Sequence, residues 1–419
     1  MPLPTLLFIA AVLAGTALEL SLAARQIRTV TAGREQVPEP FREQISPQEH
    51  RKAADYTVAK VRLGRIETVL SAAVTLGLTV GGGIGTLDAL ARSIPWQEPW
   101  RGLAVLGTVS LLAAAVHLPV TLYRTFRLEA RFGFNRTTAG VFVADLGKGL
   151  ALAALLGGGL ALAVLELMMR ARLWWLWSFA CWLAFTLLMT WAWPAFIAPW
   201  FNRFSPLADA ALRERIEALL TRCGFRSSGV FVIDGSRRSS HGNAYFSGIG
   251  RHKRIVFFDT LLKELEPGQI EAVLAHELGH FRLHHVRRRL LVSGLLGLAA
   301  FALLGELAAR PGFYAALGVA RPSAEAALLL FAFAAPVALT FLAPLGALWS
   351  RRDEFAADRF AAAQADPASL ATALVRLYRD NASTLTPDPL YVAFYYSHPP
   401  ALARIGRLKG LARGAQPNG

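Results

Sequence analysis

Cysteine is almost missing from this chain, with only Cys181 and Cys223 in 419 residues. Two thiols are too few for a thiolate zinc site. One lies in an apolar run and the other in a polar segment, which argues against a disulfide framework. Charge is scarce as well. Charged residues make up 17% of the chain, whereas ordinary soluble domains carry about a quarter. Hydrophobic residues reach 54% and gather into long runs, so the expected class is an integral membrane protein. Acidic residues are outnumbered, 29 against 44 basic, for a net charge of +15. No nucleic-acid motif accompanies that charge, and most arginines flank hydrophobic runs, so nucleic acid is excluded as a partner. Internal repeats and low-complexity segments are also lacking.

Runs long enough to cross a bilayer, about 20 apolar residues each, fall near 3–24, 66–90, 102–123, 141–169, 173–199, 290–309 and 324–349. Seven spans are therefore expected. The first has no basic segment before it and no clear cleavage site after it, so it reads as a span and not as a removed signal peptide. Ionisable residues such as His117, Asp145 and Lys148 are costly against lipid and should face protein or a watery cavity. Glu19 and Glu166 fall near span ends, where headgroup contact is the expectation. Arginine and lysine crowd 25–65 and 124–136, while 91–101, 170–172 and 310–323 are short and poorer in charge. The positive-inside rule then puts the amino terminus outside and the large polar segments in the cytoplasm.

The chain divides on this reading into five amino-terminal spans (1–199), a cytosolic segment (200–289), two further spans (290–349) and a cytosolic carboxy-terminal segment (350–419). Within 200–289, "DAALRERIEALLTRCGF" has helical spacing. "SGVFVIDGS" and "RIVFFDTLL" read as strands, and a second helix is expected from about Pro267 to Arg289.

That second helix carries "HELGH". His276 and His280, four residues apart, project from one helix face and can converge on a single ion. Glu277 sits on the flank, where a carboxylate can take a proton from a zinc-activated water. By itself the pattern also fits a surface helix that happens to carry two histidines. Zinc needs a further protein ligand and an open position. "WSRRDEFAADRFAA" at 349–362 offers Glu354, with Asp358 one turn on to hydrogen-bond a ligand histidine. Charged pairs at this spacing are common on helices, so the weight comes from the two segments together. His284 and His285 are rival ligands placed too far along the helix, and are expected at the interface or behind the ligands. His50, His241 and His252 stand alone and are expected to be non-ligands.

"HELGH", "SRRDEFAADRFA" and "YYSHPPALARI" occur in the order and spacing of the type I CAAX prenyl proteases, and the chain resembles that family along nearly its whole length. "SSHGNAYFSGIGRHKRIVFFDTLL", "EARFGFNRTT" and "APWFNRFSPL" are similar to other segments of it. The resemblance implies a mainly α fold: a seven-helix transmembrane bundle enclosing a water-filled chamber, with a cytosolic gluzincin-like zinc metallopeptidase domain that contains a small β-hairpin or sheet. It implies His276, His280 and Glu354 as ligands of one Zn²⁺ per chain and Glu277 as general base. Asn243 and the strand from Ala244 would hold the substrate backbone, His398 would bond the developing oxyanion, and Arg404 would support substrate and nearby carboxylates. Asp358 would stand behind a ligand, with a proton-donor role left open. Gly242 departs from the family, which often has serine there, and this bears on local backbone stiffness.

The expected function is an integral membrane zinc endopeptidase. It would remove the residues after a prenylated cysteine or cleave hydrophobic membrane-associated peptides, acting as a monomer among membrane lipids. A shorter heat-shock type of membrane protease shares the zinc motif but has fewer spans. A zinc-free scaffold or lipid transporter would need a degenerate site, and this one has every ligand.

Overall fold

The computed structural model describes residues 1–247 and 252–414, and it is mainly helical. Five helices are long and apolar enough to cross a membrane: Leu3–Ala32, Trp100–Glu129, Ala139–Arg170, Trp174–Phe201 and His285–Ala308. Two bent pairs raise the count to as many as seven if each is one span. Pro47–Leu78 meets Gly83–Arg92 at 47°, and Ala324–Thr340 meets Ala343–Gln364 at 65°. The first bend has a local cause in Gly82, whose φ of 79° ends one helix and caps the next. The second has Pro344 in the opening turn of its second helix, where a missing N–H costs nothing. Large apolar side chains on these helices face outward, among them Leu111, Leu187, Trp191, Leu295 and Leu296. A surface of that kind is stable against lipid and not against water.

Glu19 corrects the sequence reading. Its helix runs on to Ala32, so Glu19 is mid-helix and not at a span end. It lines an internal cavity and accepts a hydrogen bond from Thr68 at 3.0 Å. Glu166 lies in the last turns of its helix and pairs with Arg170 one turn away.

The polar part is built on a four-stranded mixed sheet of β1 (Phe204–Pro206), β2 (Arg226–Ile233), β3 (Ala244–Ser247) and β4 (His252–Phe258), in the order β1-β2-β4-β3. β2 and β4 run parallel, and the outer pairs are antiparallel. Ile255 and Phe257 of β4 point into a core shared with Leu274, Ala275 and Leu278 of the helix Pro267–Arg282 (the motif helix). Leu370 and Leu374 of Pro367–Asp380 and Ile405 and Leu408 of Ala401–Gly414 close that core. Order matters here, because it makes β3 an edge strand, and that edge touches the motif helix. Its Phe246 ring lies 5.9 Å from Phe281.

The motif helix packs directly against Ala343–Gln364 (the carboxylate helix), and Gly279 explains how closely. A Cβ at Gly279 would meet the Ala357 Cα at 3.2 Å and the Phe360 ring edge at the same distance. A side chain there would have to push the Ala357 backbone or the Phe360 ring back by a few tenths of an ångström, and this close approach sets Glu354 beside the histidines.

Candidate active site and metal centre

Local chemistry fixes the start and end of the motif helix. Glu266 and Gln269 form a reciprocal capping box, and Pro267 occupies the first turn. The helix stops at Arg282, not near Arg289 as the sequence suggested. His284 takes a left-handed φ of 58°, and a new helix begins at His285. This break turns His285 back onto His280 instead of extending it along the helix face.

The three expected ligands meet. His276 Nε2 and His280 Nε2 are 3.3 Å apart. Glu354 Oε2 is 3.4 Å from the first, and Glu354 Oε1 is 3.3 Å from the second. Zinc bonds of about 2.0–2.1 Å in a tetrahedron place neighbouring donors about 3.3 Å apart, the separation of the two imidazole nitrogens, and the carboxylate turns one oxygen toward each of them. Among the described residues this is the one group of three histidines, cysteines or acids with converging donor atoms. Glu354 is 3% exposed, and its Oε2 is buried without a hydrogen-bond donor. A buried carboxylate that turns one oxygen to each of two imidazole nitrogens, with one of those oxygens lacking a donor, is a good arrangement for a cation. The residues present fit the metal.

The surroundings reinforce that field. Asp358 lies 2.9 Å from His276 Nδ1 and accepts from Arg404 Nη2 at 2.6 Å and Nε at 2.9 Å. Arg404 is itself 5% exposed, with Nη1 3.6 Å from Glu354 Oε2. Burial disfavours charge on His276, but Asp358 and Glu354 outweigh it and raise the imidazole pKa. Burial likewise opposes the charge on Arg404, and the bonds to Asp358 overcome it and raise its pKa. Both shifts report a negative potential at the site. Arg404 reaches the carboxylates as expected. It also lines a neighbouring cavity, and its buried guanidinium is committed to Asp358 and Glu354.

His398 projects on the far side, with 61% of its side chain exposed and Nε2 3.5 Å from Glu354 Oε1. Its loop is braced at several points. Ser397 Oγ is 3.0 Å from His398 Nδ1, and Tyr378 donates to the Pro399 carbonyl at 3.4 Å. Arg351 donates to the carbonyls of Val392 and Tyr396 at 2.9 Å each. Arg351 and Tyr378 were not singled out from the sequence. In "SRRDE" nothing separates a loop-bracing arginine from one that merely marks the membrane boundary.

Glu277 is half-buried beside the ligands. Asn243 is exposed at the head of β3. Its Oδ1 accepts from the Ala244 amide at 2.8 Å, and its carbonyl accepts from the Phe258 amide at 2.9 Å. Among the described residues β3 pairs with β4 alone, from Ala244 opposite Phe257 onward, which leaves its other edge without a strand partner there. Gly242 sits tightly, since a Cβ there would stand 3.0 Å from Glu264 Oε2 and 3.3 Å from Leu261 Cα. His241 bonds Asn381, and His50 Nε2 bonds the Gly33 carbonyl, so both are engaged away from the metal group.

A cavity of about 400 Å³ adjoins the site, lined by Tyr378, His398 and Arg404 among others. A larger one of about 840 Å³ lies among the membrane helices, with Glu19, Lys60, Thr68 and Ser71 on its wall. Asn381, Ser383, Thr384, Tyr395 and Tyr396 line both.

Two zinc-type histidines and a buried glutamate on packed helices, joined to long apolar helices, define a metallopeptidase embedded in a membrane. Comparison with known proteins agrees. The family model for the CAAX prenyl protease N-terminal region, five membrane helices, matches residues 26–203, and that for peptidase family M48 matches 206–412. The chain is 36% identical to the CAAX prenyl protease 1 homolog of Arabidopsis thaliana, with 75% of each covered. It is 35% identical to CAAX prenyl protease 1 of Saccharomyces cerevisiae, over 74% of this chain and 72% of that one. The crystal structure of S. mikatae Ste24p superposes with a TM-score of 0.89 at 29% identity, covering 97% of this chain and 99% of that one. The chain belongs to the CAAX prenyl protease 1 family, the integral membrane zinc metallopeptidases of the Ste24 type within peptidase family M48.

Proposed function

We propose that His276, His280 and Glu354 hold one zinc ion and that the chain hydrolyses peptide bonds of membrane-associated substrates at it. The convergence of the two imidazole Nε2 atoms, 3.3 Å apart, with the buried carboxylate of Glu354 carries this reading. Zinc, when bound, supplies Lewis acidity toward the scissile carbonyl and acidifies a water. The protein does the rest. Glu277, beside the ligands but not among them, takes the proton of the attacking water and passes it to the leaving amine. His398, exposed toward the substrate side and fixed on its braced loop, donates to the carbonyl oxygen as charge develops there. Asp358 holds His276 in the tautomer that leaves Nε2 free, and its pairing with Arg404 suits that positioning role better than proton donation. An extended substrate adds to the free edge of β3, with Asn243 and Ala244 at the end next to the site. Arg404 contributes through the wall of the adjoining cavity.

Both bent pairs count as spans on this reading, giving seven membrane helices around the larger cavity, which serves as a water-filled chamber open to the site. The polar segments 200–289 and 350–419 face the cytoplasm, where arginine-rich connections collect. The chain works as a monomer surrounded by lipid. Its substrates end in a prenylated cysteine and three further residues, or are hydrophobic peptides without the prenyl group. Mass spectrometry of products from a peptide library, with and without a farnesylated cysteine, tests the substrate class. Equal cleavage of both sets would remove the prenyl group from the requirement, and no cleavage of either by zinc-loaded protein would overturn the peptidase reading.

A further inference from the structure

His276 and His280 are braced differently. His276 Nδ1 meets a carboxylate directly, Asp358 at 2.9 Å. His280 Nδ1 meets another imidazole, the Nδ1 of His285 at 3.0 Å, with the rings 5.2 Å apart and steeply inclined. His285 is 4% exposed, and its Nε2 points to Asp353 Oδ1 at 3.7 Å. Asp353 is 3% exposed and is held in turn by Arg288 and by Arg289 at 3.4 Å. Neither His285 nor Asp353 lines the two cavities described above.

The protons along this line are ordered by elementary valence. A histidine that offers Nε2 to a metal carries its proton on Nδ1. His280 Nδ1–H must then donate to His285 Nδ1, which has to be a bare acceptor. His285 therefore carries its own proton on Nε2, where Asp353 faces it. Reversing Asp353's partner would reverse both tautomers and put a proton on the metal-facing nitrogen of His280.

We propose that His285, oriented by Asp353, is a positioning residue that sets the tautomer of His280 and so tightens zinc binding. This rests on the ligand assignment above. Asp353 and Asp358 flank Glu354 on one helix, so a single element supplies a ligand and backs both ligand histidines, one directly and one through an imidazole. A neutral acceptor strengthens a ligand less than a carboxylate does, which makes His280 the ligand that releases first.

The test uses full-length protein in detergent and measures zinc affinity by competition with a chromophoric chelator. In His285→Asn the amide oxygen takes roughly the place of Nδ1 and can accept from His280. In His285→Gln the amide sits near the place of Nε2, so volume is better kept but the acceptor is lost. The proposal expects His285→Asn to hold zinc about as tightly as wild type. His285→Gln and His285→Ala should bind about 10–100-fold more weakly, the range typical of such supporting contacts. Asp353→Asn should also weaken zinc, with Asn at 285 relieving its effect. A role in filling space predicts the opposite order, Gln tighter than Asn, and that order overturns the proposal. If His285→Ala does not fold, the Asn–Gln contrast still decides. His280→Ala run alongside separates the layers: unchanged zinc affinity there refutes the ligand assignment itself, whereas lost affinity with the wrong Asn–Gln order refutes only the relay.

Discussion

Replacing Arg404 by methionine keeps most of the side-chain volume and removes the charge that two buried acids share. Asp358, 2% exposed, loses donors at 2.6 and 2.9 Å, and Glu354 loses a cation at 3.6 Å. A hydrogen bond to a charged group contributes about 1.5–3 kcal/mol, so the two lost bonds alone suggest about 3–6 kcal/mol. Removing one member of a buried ion pair costs about 3–5 kcal/mol, which narrows the expectation to that range. Zinc bound at Glu354 would relieve that acid but not Asp358, so the loss should persist in zinc-loaded protein. Asp358→Asn removes the stranded charge while its amide oxygen can still accept from His276. The double variant Asp358→Asn/Arg404→Met should therefore be more stable than Arg404→Met alone, with a coupling of about 1–3 kcal/mol. Thermal and denaturant unfolding of the four proteins, each with and without zinc, closes the cycle. An Arg404→Met protein within about 0.5 kcal/mol of wild type, the usual range for a neutral surface change, would refute the reasoning. Strict additivity in the double variant would do the same.

His398→Ala should lower kcat by about a hundredfold or more with little change in KM at full zinc occupancy, since one oxyanion donor is lost. If His398 only shapes its turn, stability falls and the kcat of the folded fraction stays normal. Asn243→Ala should raise KM and leave zinc content intact, as measured by peptide titration and metal analysis; an unchanged KM would remove the strand-edge contact. With seven spans the termini lie on opposite sides, so a reporter after Gly419, which lies outside the described residues, should behave as cytoplasmic and one at Met1 as external. Both on one side would contradict the span count.

Much of this architecture is legible in the chain because its signals are short-range. Apolar runs mark the long helices, and "HELGH" places two imidazoles on one face by helix geometry alone. Glu354 is legible only in combination, because an i,i+4 acidic pair has no meaning until a second helix is known to lie against it. Gly279 permits the close approach of that helix, and its missing Cβ matters only across the contact with Ala357 and Phe360. His285 lies behind a ligand, one of the two places expected for it, but the helix break that puts it there was missed, because a left-handed histidine at 284 leaves no mark in sequence, where glycine or asparagine would have signalled the stop. Glu19 was read at a span end because hydropathy fades at the arginines before the helix does. Arg351 looked like one more boundary arginine, and its bonds to the carbonyls of Val392 and Tyr396 depend on a loop folding back across 41 and 45 residues.

The most direct measurement pairs zinc content with peptidase turnover in Glu277→Ala and Glu354→Ala, each purified and shown to be folded. Glu277 is assigned as the base and not as a ligand, so Glu277→Ala should keep close to one zinc per chain and lose turnover by at least about a hundredfold, the lower end expected for general-base loss. Glu354→Ala should lose both the metal and the activity. Wild-type turnover in Glu277→Ala, or stoichiometric and tightly held zinc in Glu354→Ala, would contradict the account of this site.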